Sequence, residues 1–223
     1  MVEIGAGLGS LTIALAAAGA AVLAIELDRR LADVLRETTS GLDVKVVAAD
    51  AMRVEWDEVL DAGAWVMVAN LPYNIATPVV LRALEMAGGV SRFTLMVQRE
   101  VAERWVAVPG DDAYGAVSVK ISWWTTGRLA GAVPRGVFVP QPRVDSALVA
   151  LERRAAPDGV AREEVFRLVE AGFATRRKML RRTLLGLVGD EAFAAAEIAP
   201  TARAEELTLD QWVALARATG GQR

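Results

Sequence analysis

Val2-Glu3-Ile4-Gly5-Ala6-Gly7-Leu8-Gly9, with the apolar run that continues to Ile25, is the stretch whose reading decides the fold. Positions 4–25 make a run of 22 residues without a charge. That is long enough to span a bilayer. Four glycines (Gly5, Gly7, Gly9 and Gly19) punctuate it, however, and Glu3 stands where a signal peptide would carry positive charge. The run reads instead as the end of a strand (2–4), a glycine turn (5–9), a buried helix (11–18) and a second strand (21–25). A βαβ unit covered on both faces is nearly charge-free for the same reason.

Working outward, residues 28–38 have helical spacing, with Leu31, Val34 and Leu35 on one face. Residues 44–48 and 65–68 read as the third and fourth strands, 77–86 as a helix, 94–97 as a fifth strand and 99–106 as a helix. Strands alternating with helices predict an α/β fold with a parallel sheet covered on both faces. Residues 117–124 look strand-like and aromatic. Pro134, Pro140 and Pro142 interrupt the next stretch, and 144–152 alternates like a closing strand. Ala155-Ala156-Pro157-Asp158-Gly159 reads as a linker. Beyond it only helical periodicity is found, and Thr208 with Gln211 forms a capping box for the last helix. The expected organisation is a sheet domain (1–154), a linker (155–159) and an all-helical domain (160–223).

Composition removes several chemistries. The 223 residues contain no cysteine and no histidine. Disulfides, a thiol nucleophile, an imidazole base and the usual Cys/His zinc site are excluded. The 53% hydrophobic content is ample for a core, and the formal net charge is -3. Any contact with nucleic acid must therefore be local.

The glycines between the first strand and its helix let backbone approach a bound nucleotide closely. Glu26 ends the second strand, where a carboxylate can accept both hydroxyls of a ribose. Asp50 ends the third, where it can accept from an adenine amino group. Taken singly, either acid reads equally well as a solvated strand end. A glycine loop with a downstream acid also suits NAD enzymes, but the spacing G-x-G-x-G leans away from them.

Asn70-Leu71-Pro72-Tyr73 follows the fourth strand and is the most informative tetrapeptide. An amine on an aromatic ring is a poor nucleophile, because its lone pair is delocalised. The Asn70 side-chain oxygen and the Leu71 carbonyl can accept from both of its N–H groups and favour a pyramidal nitrogen. Pro72 constrains Leu71 to extended geometry. Tyr73 offers a face for a base taken out of its stack. Standing alone the tetrapeptide is an ordinary turn; behind a glycine loop and two strand-end acids it points to chemistry on a base.

These residues resemble the bacterial KsgA-type (RsmA) small-subunit rRNA adenine dimethyltransferases, nearly end to end. Residues 3–12 are similar to the family's cofactor motif. Ile25-Glu26-Leu27-Asp28, Asp50-Ala51-Met52 and Asn70-Leu71-Pro72-Tyr73-Asn74-Ile75 are similar to the next three. Further blocks are Gln98-Arg99-Glu100-Val101, Ala113-Tyr114-Gly115 and residues 137–147, which end in Asp145-Ser146-Ala147. Phe173 with Arg176-Arg177-Lys178 resembles the helical-domain signature.

The resemblance implies a Rossmann-like class I S-adenosylmethionine-dependent methyltransferase sheet with a small all-helical C-terminal domain. It implies a cofactor site at Gly5, Gly7, Glu26, Asp50, Ala51 and Asn70. It also implies that Asn70, Leu71, Pro72 and Tyr73 act on the target, with Phe138 as a second aromatic wall; on its own Phe138 also reads as core. The implied reaction puts two methyls on each of two neighbouring adenines near the 3′ end of 16S rRNA during small-subunit assembly. A cytoplasmic monomer without metal or membrane attachment is expected. Arg176, Arg177, Lys178, Arg181 and Arg182 are five cations within seven residues. On one helix they would form a phosphate-contacting face, although charge alone suits a solvated face equally.

Relatives carry several tens of residues ahead of the glycine loop, including an element that covers the cofactor, whereas here the loop begins four residues after Met1. Weaker S-adenosylmethionine binding than in a longer relative is the corresponding expectation, together with exposed apolar surface. Two rival readings are a macrolide-resistance-type methyltransferase of large-subunit rRNA and a catalytically impaired RNA-binding assembly factor.

Overall fold

Every residue of the first two strands, β1 (Val2–Ile4) and β2 (Val22–Glu26), is buried. Such continuous burial belongs to the middle of a sheet covered on both faces. The structure, a computed structural model, describes residues 1–220. Between these strands lies α1 (Ser10–Ala17), and α2 (Arg29–Thr38) follows β2. Asp28 caps α2 by accepting from the backbone N–H of Arg30 at 2.8 Å and of Leu31 at 3.4 Å. Then come β3 (Val44–Ala48), α3 (Trp56–Val59), β4 (Trp65–Asn70), α4 (Ala76–Met86), β5 (Val90–Gln98) and α5 (Arg99–Val106). Next are α6 (Ala116–Trp124), β6 (Thr125–Val133), a 3-10 turn at Arg135–Val137 and β7 (Ser146–Arg153). The remaining helices are α7 (Arg162–Phe173), α8 (Leu180–Thr183), α9 (Asp190–Ala195) and α10 (Leu209–Gly220).

The seven strands lie in the order β3-β2-β1-β4-β5-β7-β6. β1 to β5 are parallel, and β7 runs antiparallel to β5 with Ser146 opposite Gln98. The order reverses between β1 and β4. In an open α/β sheet that reversal opens a crevice at the strands' carboxyl ends, where ligands bind. The far end of β7 is clamped by Arg153, whose guanidinium donates to the carbonyls of Val90, Leu84 and Ala87 at 2.8–3.0 Å.

The chain forms two compact units. One comprises residues 1–102 and 126–153, and the other residues 103–125 and 154–223; the last three positions lie outside the described residues. This differs from the expected boundaries, because 103–125 joins the helical unit. The reason is a second correction: the expected strand at 117–124 is helix α6. Its β-branched and aromatic side chains favour strands intrinsically, but tertiary packing overrides propensity. Val119 and Trp123 are buried in a helical core with Val165, Leu168, Val169, Leu180 and Trp212. The Ser118 hydroxyl accepts from the Gly115 N–H at 3.0 Å and donates to the Arg104 carbonyl at 2.6 Å, which fixes the first turn. Tyr114 belongs to the same core. Its hydroxyl donates to the Leu207 carbonyl at 2.7 Å, and burial pushes its pKa up to about 12. The capping box of the last helix is present, with Thr208 N–H donating to Gln211 Oε1 at 2.9 Å and Gln211 N–H to Thr208 Oγ1 at 3.3 Å.

Two further differences lie in the sheet unit. The helix expected to be buried, α1, buries only Thr12; Ile13, Ala14 and Ala17 are exposed, and Leu11, Leu15 and Ala16 are half-buried. Strand β6 has no counterpart among the sequence-predicted elements. Most of it is exposed, and Gly127 and Gly131 break any alternation.

Candidate active site

The crevice at the order reversal is built from two turns. After β1 the backbone takes positive φ at Gly5 (72°), Gly7 (57°) and Gly9 (92°), a conformation that other residues adopt only at a cost. The turn is closed by Gly9 N–H donating to the Ala6 carbonyl at 2.9 Å. After β4 comes Asn70-Leu71-Pro72-Tyr73, held by Leu71 N–H on the Met96 carbonyl of β5 and by Ile75 N–H on the Pro72 carbonyl, both at 3.1 Å. The two turns meet: a β-carbon on Gly5 would stand 3.7 Å from Pro72 Cδ.

Glu26, at the end of β2, is buried, and its carboxylate is already at work. Oε2 accepts from Gly7 N–H at 2.8 Å and Oε1 from Asp28 N–H at 3.0 Å. A carboxylate has about four acceptor sites, so each oxygen keeps one for a hydroxyl. Asp50, at the end of β3, accepts from Met52 N–H at 2.9 Å through one oxygen and is half-exposed, beside buried Ala51.

Asn70 is exposed, and its amide has no hydrogen-bond partner among the described residues. It lines a cavity of about 300 Å³ together with Leu71, Pro72, Tyr73, Phe138, Pro140 and Pro142. That volume lies at the small end of ligand sites. Sequence positions 70–73 and 138 are thus brought together. Gly5, Gly7, Glu26, Asp50 and Ala51 lie along the same strand ends.

A scan against protein families matches residues 1–219 to the model described as ribosomal RNA adenine dimethylase. The chain belongs to this family. A curated member, ribosomal RNA small subunit methyltransferase A of Acidothermus cellulolyticus, is 46% identical over 228 residues, covering 97% of this chain and 78% of its own. The crystal structure of the 23S rRNA methyltransferase ErmE matches with a TM-score of 0.73 at 29% identity, covering 98% of this chain and 90% of that one. A dimethyladenosine transferase of Plasmodium falciparum shares the fold with a TM-score of 0.77 at 23% identity, over 96% of this chain and 87% of its own. Membership makes the chain an rRNA adenine dimethyltransferase with S-adenosylmethionine as cofactor.

The residues of this dimethylase fit that cofactor. A β-carbon on Gly7 would meet nothing within 4 Å, so open space lies over the loop. Glu26 and Asp50 retain acceptors, although Arg53 Nε stands 3.7 Å from Asp50 Oδ2. Among the described residues no group of acidic side chains is arranged to hold a metal ion, and no helix is long and apolar enough to cross a membrane.

Three residues near the site were given no role from sequence. Glu3 is buried beneath the glycine loop. Its Oε2 accepts from the Thr12 hydroxyl at 2.6 Å, and burial, with Glu26 nearby, holds its pKa above the usual carboxylate value despite that bond. Ser146 Oγ lies 2.7 Å from the Tyr73 hydroxyl. Asp145 Oδ1 accepts from Arg135 N–H at 2.9 Å. The signal for the last two was their place in the block ending at Ala147; their partners, distant in sequence, were invisible there.

The cation cluster of the helical unit needs correction. Residues 174–178 form turns, and α8 begins only at Leu180, so the five cations do not share one helix face. Leu180 N–H bonds the Ala202 carbonyl at 2.8 Å rather than a carbonyl of the preceding turn, so α7 does not continue into α8. Arg176 is committed elsewhere: Nε pairs with Glu205 at 2.5 Å and Nη1 donates to the Asp112 carbonyl at 2.8 Å. Arg177, Lys178, Arg181 and Arg182 are exposed and have no ion-pair partner among the described residues.

Proposed function

We propose that the chain dimethylates the N6 amines of two adjacent adenines near the 3′ end of 16S rRNA, from S-adenosylmethionine, during assembly of the small ribosomal subunit. One observation carries the reading: an uncommitted Asn70 amide opens onto a cavity with two aromatic walls, and that cavity's turn touches the glycine loop.

Bound at the strand ends, S-adenosylmethionine supplies a methyl group made electrophilic by a positively charged sulfur. Gly5, Gly7, Glu26, Asp50 and Ala51 are the residues assigned to hold it. Tyr73 and Phe138 stack on either face of an extruded adenine. The Asn70 oxygen and the Leu71 carbonyl accept from its two N–H groups and keep the nitrogen lone pair aimed, while Pro72 fixes Leu71. Catalysis is then largely a matter of positioning. No histidine is needed, because the amine can release its proton to water after the transfer. A monomethylated amine still has a hydrogen and a lone pair, so the same arrangement serves twice. Arg177, Lys178, Arg181 and Arg182 anchor the RNA backbone, which cations can hold without specifying sequence. The reading describes a monomer working in the cytoplasm, where the subunit is assembled.

Identity of 46% to a small-subunit enzyme, against 29% to the 23S rRNA enzyme, favours the small subunit as substrate. The test incubates the protein with labelled S-adenosylmethionine and unmethylated small or large subunits, then maps the product. Label in two adjacent adenines of 16S rRNA is expected, and at least a hundredfold loss in Asn70→Ala, as for removal of a key polar contact at a reacting centre (~10²–10³). Label in 23S rRNA, or full activity of Asn70→Ala, overturns the reading.

A further inference from the structure

We infer that Asp145, just before β7, and Ser146, its first residue, are positioning residues that set the two aromatic walls of the cavity, one wall each. The inference rests on the assignment of Tyr73 and Phe138 as those walls.

Ser146 is buried, and a buried hydroxyl requires a partner. In many strands that partner is a backbone carbonyl. Here it is the hydroxyl of Tyr73, 73 residues earlier, at 2.7 Å. Because Ser146 pairs with Gln98 while the turn's Leu71 N–H bonds Met96, the end of β5 separates the two. Tyr73 reaches past it and is fixed at its far end. A ring held only at its Cβ swings about χ1; one also held at its hydroxyl keeps its position and can only turn about its own long axis.

Asp145 performs the same task for the other wall by a different route. It is exposed, so the core does not need it. Its carboxylate accepts from Arg135 N–H, the start of a single 3-10 turn. Phe138 N–H returns to the Arg135 carbonyl at 3.3 Å, so Phe138 hangs from the residue that Asp145 grips. The loop is closed by Arg135 Nη1 on the Arg143 carbonyl at 3.2 Å. The Asp145 carbonyl also accepts from Arg99 N–H at 3.0 Å, tying this point to the end of β5. The separation of the walls is therefore set by one dipeptide whose place is locked by the β5–β7 register. A site that must grip a flat base gains from walls fixed before the base arrives.

The test measures single-turnover methyl transfer into unmethylated small subunits, with S-adenosylmethionine affinity by calorimetry and thermal stability alongside. Ser146→Ala and Tyr73→Phe should each slow transfer about five- to twentyfold, the scale of one lost hydrogen bond. The double variant should be no slower than either single one. Cofactor affinity should stay within about twofold, a change near the size of ordinary surface effects. Asp145→Ala should slow transfer similarly, and Asp145→Asn, which keeps an acceptor oxygen, should restore it. Should Ser146→Ala fail to fold, Tyr73→Phe removes the same bond from the half-buried side and carries the test. Multiplicative effects in the double variant, or rates that fall only in step with cofactor affinity and melting temperature, overturn the inference. Unchanged rates in Ser146→Ala and Asp145→Ala overturn it while leaving the walls standing, provided Tyr73→Ala and Phe138→Ala are slow. If those two are also unchanged, the assignment of the walls itself has failed.

Discussion

Replacing Gly9 with alanine tests whether the cofactor loop is held by conformation, by packing or by both. Gly9 has φ 92° and caps α1. An L-residue there costs roughly 1–2 kcal/mol. The added methyl would also stand 2.6 Å from Leu35 Cδ1, and Leu35 is fully buried. A side chain end can shift, but in a closed core the adjustment costs about 1–3 kcal/mol. Gly9→Ala is thus expected to destabilise by roughly 2–5 kcal/mol in total. Gly7 supplies the control. Its φ is 57° and a β-carbon meets nothing within 4 Å, so Gly7→Ala should cost only about 1–2 kcal/mol of conformational strain. The contact itself is isolated by Leu35→Ala, which alone costs about 2–5 kcal/mol as a cavity. Combined with Gly9→Ala it removes the overlap, so the double variant should be more stable than the sum by about 1–3 kcal/mol. Urea unfolding at constant m-value measures all four proteins. Equal costs at Gly9 and Gly7, or additivity within about 0.5 kcal/mol in the double variant, would refute the reasoning.

Other expectations concern both units. Gly172→Ala would put a methyl 2.5 Å from Trp212 Cη2, on a rigid and fully buried ring, and should cost about 2–3 kcal/mol by the same measurement. Glu3 has its pKa raised by burial in the folded state. Its contribution to stability is fully present below the unfolded carboxylate value and is lost as pH rises through the folded one. The melting temperature of Glu3→Gln, measured against wild type from acid to neutral pH, should therefore gain on wild type as pH rises; a constant difference would contradict this. Neutralising Arg177, Lys178, Arg181 or Arg182 should each lower the salt slope of RNA binding by about 0.7 with little effect on stability. Arg176→Ala should reverse that pattern, leaving the slope nearly unchanged and lowering the melting temperature, because the pair with Glu205 and the bonds to the Asp111 and Asp112 carbonyls are lost.

What was legible in sequence follows from range. Strands β1 to β5 and helices α1, α2, α4 and α5 announce themselves through local apolar runs and glycine punctuation, whereas the four-residue α3 is too short to show a period, and the turn at Asn70 falls where the alternation places it. The carboxyl-edge grouping of the glycine loop, Glu26, Asp50 and Asn70 could be read because a parallel sheet puts every strand end on one edge. The failures are all non-local. Residues 116–124 carry strand-forming side chains, and only the helices around them, from 162 onward, make them helical. Strand β6 is an exposed edge with two glycines, so it has neither buried alternation nor turn signals to mark it. The helical spacing of the cations was sound arithmetic on a segment that is not helical. Arg176 looked like its neighbours because its partner, Glu205, is 29 residues away. Tyr73 and Ser146 were each noticed, but nothing in either stretch says that they touch.

The position of β7 has a consequence for how the molecule comes into being. It is the final strand along the chain, yet it does not lie at the border of the sheet: β6, which precedes it, is seated outside it. Residues 1–98 already contain both turns of the crevice and all five parallel strands, while β6 must wait for its neighbour to be threaded in. A polypeptide interrupted before residue 146 would own the nucleotide-facing rim and both aromatic side chains, yet lack the strand against which the Tyr73 hydroxyl is fixed. The setting of the cavity thus comes late in synthesis, with the closing of a single antiparallel ladder, and the cations at 177–182 follow later still.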